Sequence, residues 1–337
     1  MQNKENLKID FVIPWVDNTD KEWQKQKEIY SGNVTDESNS DIRYRDWGLL
    51  KYLFRSIEAN APWVNNIYFI TCGQKPDWLN INNPKLKQID HKNFIPSELL
   101  PTFNVNVIEN NLYRIKDLEE HFVYFNDDQY IINKMKPEDF FKNGKPCDSF
   151  CFNAVSSKDS NNIIEHIILN DGEIIGKYYN KKEVIKNNFF KIFNLKYKFS
   201  DNIKSLLLLP WKHFTGIQNQ HIPCPYLKSK MKELWDKEYD LLYKSSSSKF
   251  RSKDDMNIWL FRYWNLYEGN FYPRSTRKSK FYEIKISNNE LDKIINSNKY
   301  QLLCINDLNE DIDFNKVKEE LINKLDKRFP NKSSFEK

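Results

Sequence analysis

A chain of 337 residues has room for one large domain, or for a core that carries a sizeable insertion. Its 52 basic and 47 acidic residues leave a net charge of only +5, which suits an anionic substrate or an acidic lipid surface and argues against a nucleic-acid-binding arm. Eight glycines are too few and too scattered to build a dinucleotide or Walker phosphate loop, so a bound nucleotide must be held another way. The five cysteines (Cys72, Cys147, Cys151, Cys224, Cys304) are odd in number and lack zinc-ligand spacing. They read as small buried hydrophobes of a reducing compartment rather than as ligands. No apolar run is long enough to span a bilayer, and residues 1–6 do not open a signal peptide. The expectation is a cytoplasmic protein, free or peripheral at a membrane.

In chain order, Ile9 to Val16 reads as the first strand, with Pro14 marking its end or a bulge, and Asp17 is an acid delivered just beyond it. Asp20 caps a helix over residues 20–30, and residues 31–41, rich in Ser, Asn and Asp, form a loop. Trp47, Leu50, Phe54 and Ile57 recur at helical spacing, which predicts an amphipathic helix capped by Asp46 and ended by Pro62. Arg43 and Arg45 stand ahead of it, where they can reach an anion at the helix start; the plainer alternative is a salt bridge with Asp46. Strands follow at 66–72 and 85–89. Thr102 or Asn104 caps a helix from about 105 to 114, and Asn104 and Asn106 can either serve as caps or hydrogen-bond a phosphate or sugar hydroxyl.

Phe122-Val123-Tyr124-Phe125 is a short apolar run of the kind a parallel sheet buries on both faces, and it stops at Asn126-Asp127-Asp128. In an open α/β sheet, ligands bind beyond the carboxyl ends of the strands. Two acids there can hold a hard divalent cation that neutralises a diphosphate; a solvated turn is the plainer use of the same residues. The alternation of strand and helix gives the fold class: α/β, with a mostly parallel, doubly wound (GT-A-like) sheet flanked by helices. Residues 1–139 form the α/β core in this reading. Residues 140–210 are an α/β insertion that covers it, with Leu206 to Pro210 a buried segment. Residues 211–337 are a helical part that completes the site. His221, next to Pro223 and Pro225, is rigidly placed, as a general base needs to be, although a satisfied structural histidine has the same appearance. Ser252 and Asp255 have capping-box spacing, which puts Arg251 at the positive end of the helix that follows.

Four dispersed motifs occur in order. They are Trp15-Val16-Asp17; Arg43-Tyr44-Arg45-Asp46 through Ala61-Pro62-Trp63 and Thr102-Phe103-Asn104 to Tyr124-Phe125-Asn126-Asp127-Asp128; His221-Ile222-Pro223 with Phe250-Arg251-Ser252 and Asp254-Asp255; and Cys304-Ile305-Asn306-Asp307 with Lys332-Ser333-Ser334-Phe335-Glu336. Together they resemble the Stealth proteins, bacterial capsular and cell-wall polysaccharide phosphotransferases related to the animal N-acetylglucosamine-1-phosphotransferase. Asn18 stands where that family usually has glycine, and Asn tolerates a left-handed turn.

The resemblance implies transfer of a sugar-1-phosphate from a nucleotide sugar, foremost a UDP-sugar, to a hydroxyl of a glycan or lipid-linked oligosaccharide, with release of a nucleoside monophosphate. It implies Mg²⁺ or Mn²⁺ near Asp17, Asp127 and Asp128, and a phosphate clamp of Arg43, Arg45 and Arg251. Asn104, Asn126 and Asp255 join the substrate-binding set, and His221 takes the acceptor proton. A nucleotide-sugar glycosyltransferase, which releases a nucleoside diphosphate, is the competing enzyme; a glycan-binding module that stacks aromatics on sugars is the non-enzymatic alternative.

Overall fold

The computed structural model describes residues 7–31, 45–157, 162–307 and 312–337. Ile9 to Ile13 are all buried, so both faces of this first strand are covered, which only a central position in a sandwiched sheet allows. Strands β1 (Ile9–Pro14), β2 (Ile67–Thr71), β3 (Leu86–Asp90) and β4 (His121–Tyr124) pair in parallel, in the order β3-β2-β1-β4. β5 (Gln129–Ile131) leaves this sheet. β6 (Phe141–Lys142), β7 (Lys145–Asp148) and the later β9 (Tyr272–Pro273) make a small third sheet. β8 (Cys224–Leu227) closes the main sheet antiparallel to β4, and β10 (Ser279–Glu283) and β11 (Leu302–Asn306) join β5 in a second sheet of order β10-β11-β5. The mixed α/β class and the mostly parallel central sheet are those expected. The last third, expected to be helical, supplies four strands as well.

Alternation along each central strand divides the interior into two cores. Phe11, Ile13, Phe69 and Phe125 point to one face, where Leu53 and Ile57 of the helix Leu50–Asn60 and Leu321 and Leu325 of the helix Phe314–Arg328 cover them. Val12, Tyr68, Ile70, Phe122 and Tyr124 point to the other, against Val107 of the helix Val105–Asn110, Trp235 of Lys228–Lys237 and Phe261 of Trp259–Tyr267.

Several local expectations change. Asp46 accepts from Gly48 N–H at 2.8 Å and so caps a turn; the helix opens only at Leu50, because Gly48 takes a left-handed φ of 67° that no helix continues through. The helix after Asn104 stops at Asn110 and gives way to a 3₁₀ turn, Leu112–Arg114. Ser252 and Asp255 are reciprocally bonded, but the helix starts at Trp259, so they close a loop rather than cap a helix. Leu206 and Leu207, expected to be buried, are exposed. Among the described residues, Asn143 and His221 are the non-glycine positions with left-handed φ, so the turn at Asn18 does not demand glycine.

The chain end is fastened beside the first core. Arg55, buried in the helix Leu50–Asn60, forks onto both oxygens of Glu336 at 2.8 Å and also donates to Phe329 C=O at 2.8 Å. Breaking a buried pair strands the remaining charge. Arg55→Met should therefore lower the unfolding free energy by about 3–5 kcal/mol in a denaturant titration.

Candidate active site

β4 lies in the main sheet and β5 in the second, so Phe125 to Asp128 form the crossing between two sheets. The crossing is closed by Gln129: its N–H donates to Asn126 C=O at 3.2 Å and its side-chain oxygen accepts from Asn126 N–H at 3.1 Å. The neighbouring strand β11 then reaches in. Ile305 N–H donates to Asp128 C=O at 2.9 Å, and the side chains of Cys304 and Asn306, two residues apart and hence on one face, donate to Asp128 Oδ2 at 3.3 and 2.8 Å. His221 Nε2 is 3.6 Å from the same oxygen and 3.3 Å from Asn126 Nδ2.

The two carboxylates part ways electrostatically. Burial works to raise the Asp128 pKa, but the His221 imidazole, with Asn306 and Cys304, outweighs it and holds the group below the ordinary carboxylate value. Asp127 opens to solvent at one edge, yet protein crowds its carboxyl. That desolvation, then Asp128, then Asp46, pushes its pKa up to about 7. Burial would lower His221; the Asp128 charge and then Glu109 reverse this and raise it.

The backbone at His221 has φ 46°, sparsely populated for any residue with a Cβ. The segment leading to it is gripped by Arg262, which forks onto buried Asp148 at 2.7 and 3.0 Å while donating to Gln218 C=O and Asn219 Oδ1. The strain is thus maintained by a fixed frame, a pattern associated with functional residues.

The remaining expected residues are distributed around this centre. Arg45 pairs with Asp307 at 3.1 Å rather than with Asp46, and Trp47 Nε1 donates to the same carboxylate at 3.1 Å, which ties the 45–47 loop to the end of β11. Arg43 lies outside the described residues. Arg251 is within electrostatic reach of Glu109, Tyr124 and His221. Asp17 Oδ1 accepts from Thr19 N–H and Oγ1 at 2.8 and 2.6 Å, and Gln74 holds its backbone; no described contact joins it to Asp127 or Asp128. Asn104 and Asp255 differ from the expected substrate contacts. Both are fully buried and bonded to each other at 2.7 Å, because the Asn104 amide must satisfy a carboxylate that has no solvent. They staple the 102–106 segment to the loop that carries Arg251.

Sequence reasoning places neither Asn306 nor Glu109 in the site, and reads Asp46 only as a cap or ion-pair partner and Cys304 only as a small buried residue. Cys304 and Asn306 were legible as an alternating pair at a strand end, the same signal that singled out Asp127 and Asp128. Glu109, buried and bonded to the Tyr124 hydroxyl at 2.7 Å, carries no such signal. The cysteines expected to be small buried residues are so at Cys147, Cys151, Cys224 and Cys304, whereas Cys72 is exposed; the Cys304 sulfur also lies with ligand atoms of Asp128 and His221 inside a 4.8 Å cluster.

The residues fit a divalent cation. Asp128 Oδ1 is buried without a hydrogen-bond partner, and desolvation and the neighbouring carboxylates push the Asp127 pKa up, a cost that a bound cation would offset. Adjacent carboxylates suit a hard ion, whereas the mixed oxygen, nitrogen and sulfur set suits a borderline one.

A mostly parallel sheet that delivers paired acids beyond one strand end, with a histidine in left-handed backbone beside Asp128, is an arrangement of α/β enzymes. The conserved regions described as Stealth protein CR1, conserved region 1, and Stealth protein CR2, conserved region 2, match residues 7–35 and 43–148. A capsular polysaccharide phosphotransferase, WcwK, of Streptococcus pneumoniae is 45% identical over 340 residues, covering 100% of both chains. The receptor polysaccharide phosphotransferase WefC of Streptococcus gordonii is 39% identical over 98% of this chain and 99% of its own. The exopolysaccharide phosphotransferase cps2G of Lactiplantibacillus plantarum is 39% identical over 98% and 96%. The chain belongs to the Stealth family. Among solved structures, the galactosyltransferase LgtC in complex with donor and acceptor sugar analogs aligns over 92% of this chain and 95% of its own, at TM-score 0.38 and 10% identity, a likeness too weak to argue from.

Two outcomes follow from the geometry. At a left-handed position glycine escapes the Cβ penalty, so His221→Gly should be more stable than His221→Ala by about 1 kcal/mol in thermal unfolding. Asp127 has a folded pKa of about 7, above its ordinary value of 3.8, so the folded state binds the extra proton between these limits. Stability contributed by that proton is complete at low pH and is lost as pH rises towards 7. With EDTA present, Asp127→Asn should flatten this part of the stability-versus-pH curve.

Proposed function

We propose that the protein transfers a sugar-1-phosphate from a nucleotide sugar, foremost a UDP-sugar, to a hydroxyl of a glycan acceptor during capsular or exopolysaccharide synthesis. The observation that carries this reading is the convergence of His221 with the Asp127–Asp128 pair, in a chain whose full-length relatives are named polysaccharide phosphotransferases. The acceptor oxygen attacks the phosphorus that bears the sugar; a new P–O bond forms and the P–O bond to the nucleoside monophosphate breaks. The sugar's C1–O bond is untouched, so its anomeric configuration is retained.

Such a reaction needs alignment, neutralised charge and a proton acceptor more than covalent help. The His221 imidazole takes the acceptor proton, and Asp128 Oδ2, 3.6 Å from Nε2, stabilises the imidazolium formed. Asn126, bonded to the same nitrogen, fixes the ring while it is neutral. Arg251 and Arg45, with Arg43, clamp phosphate oxygens; Asn104 and Asp255 position Arg251 from behind. Asp127 and Asp128, with Asp17 in their support, would hold Mg²⁺ or Mn²⁺, which when bound screens the diphosphate and the departing phosphate.

The test is product analysis with UDP- and GDP-sugars, Mg²⁺ and a glycan acceptor. Nucleoside monophosphate and a phosphodiester signal in phosphorus NMR are expected; nucleoside diphosphate would assign the chain to glycosyl transfer. His221→Ala should lower kcat by about 10²–10⁴-fold. Asp127→Ala should abolish transfer while the fold remains intact by circular dichroism. Activity should rise as pH passes upward through the raised His221 pKa, because only the neutral ring accepts a proton.

A further inference from the structure

The helix Phe199–Leu207 is built inside out. Asp201 and Ser205, four residues apart, face the protein and are 3% and 0% exposed. Asp201 accepts from Thr276 Oγ1 at 2.7 Å, and Ser205 Oγ accepts from Phe152 N–H at 2.9 Å. The opposite face turns Phe199, Leu206 and Leu207 outward, at 77%, 53% and 65% exposure. The preceding helix Lys181–Ile192 adds Phe190 at 81%, and the flanking segments add Leu195 at 94% and Trp211 at 57%. A surface helix ordinarily buries its apolar stripe, and contiguous exposed apolar groups of this size mark an interaction site.

The charges around this face are one-sided. Lys182, Lys186, Lys196, Lys198, Lys204 and Lys212 are exposed among residues 181–212, against Glu183 as the exposed acid. A second copy packed face to face would set these lysines against their own equivalents, a repulsive arrangement. Anionic phosphates complement them instead. Aromatic and aliphatic side chains ringed by lysine are the pattern of a protein surface that lies in a membrane interface, with apolar tips at the acyl boundary and ammonium groups among headgroups. No helix among the described residues is long and apolar enough to cross a membrane.

We propose that this face docks on an anionic lipid bilayer, seating the enzyme peripherally through Phe190, Leu195, Phe199, Leu206, Leu207 and Trp211. The inference stands apart from the phosphotransfer reading, because none of these residues takes part in it. The docking face is linked along the chain to the site: Phe152, whose N–H donates to Ser205 Oγ, bridges to Ile217, four residues before His221.

The experiment is flotation of the full chain with phosphatidylcholine vesicles, with and without phosphatidylglycerol. Binding to the anionic vesicles should exceed binding to neutral ones by at least about tenfold and weaken with added salt. The combined variant Phe190→Ser, Phe199→Ser, Leu207→Ser should lose flotation while keeping its circular dichroism spectrum and its transfer to a soluble acceptor. Lys198→Ala with Lys204→Ala should reduce the anionic preference. Absence of flotation, equal binding to neutral and anionic vesicles, or unchanged binding of the triple variant would overturn the proposal. So would a dimer in sedimentation velocity that the triple variant dissolves, since a second copy would then be the occupant.

Discussion

Two carboxylates on adjacent residues repel, and the arrangement around Asp127 and Asp128 is a response to that repulsion. One of the pair is held ionised by donors from β11 and by His221; the other is left short of positive charge and takes up a proton near neutrality. Under the proposed function, positive charge arriving with a metal-complexed diphosphate would relieve this repulsion. The same unevenness separates the roles of the two acids. Asp128 is engaged through Oδ2 by Cys304, Asn306 and His221, whereas Asp127 is exposed.

That centre is assembled from sequence-distant pieces. β4 provides the acids, the segment before β8 provides the histidine, and β11, almost at the chain end, provides the donors that settle Asp128. The Arg45–Asp307 pair binds the early helix region to the end of β11, and the Arg55–Glu336 fork binds it to the C-terminal tail. The last fifty residues therefore supply both donors to Asp128 and anchors for the first core.

Part of the fold is legible because an apolar run buried on both faces has few uses outside a covered parallel sheet, as at Phe122 to Phe125 in β4; β1 and β2 are legible as strands alternating with helices. Helix starts were less legible. Asp46 and the Ser252–Asp255 pair carry capping chemistry, yet each closes a loop, because side-chain capping is local while the helix that follows is decided by packing. In the site, Asp127, Asp128, Asn126 and His221 were visible from residue type, strand ends and motif resemblance. Asn104 and Asp255 show the limit: an amide and a carboxylate look the same in sequence whether they meet a ligand or each other. Glu109 was hidden because its importance comes from burial beside Tyr124, which no local pattern announces.

The helix Phe199–Leu207 separates two kinds of specification. Its attachment to the body runs through a carboxylate, a hydroxyl and their partners, so the hydrophobic side chains on its outer surface contribute little to holding it in place. Those outer positions can change in sequence without loosening the domain. Under the proposed docking, a handful of such changes would alter membrane attachment while the helix stays held through Asp201 and Ser205.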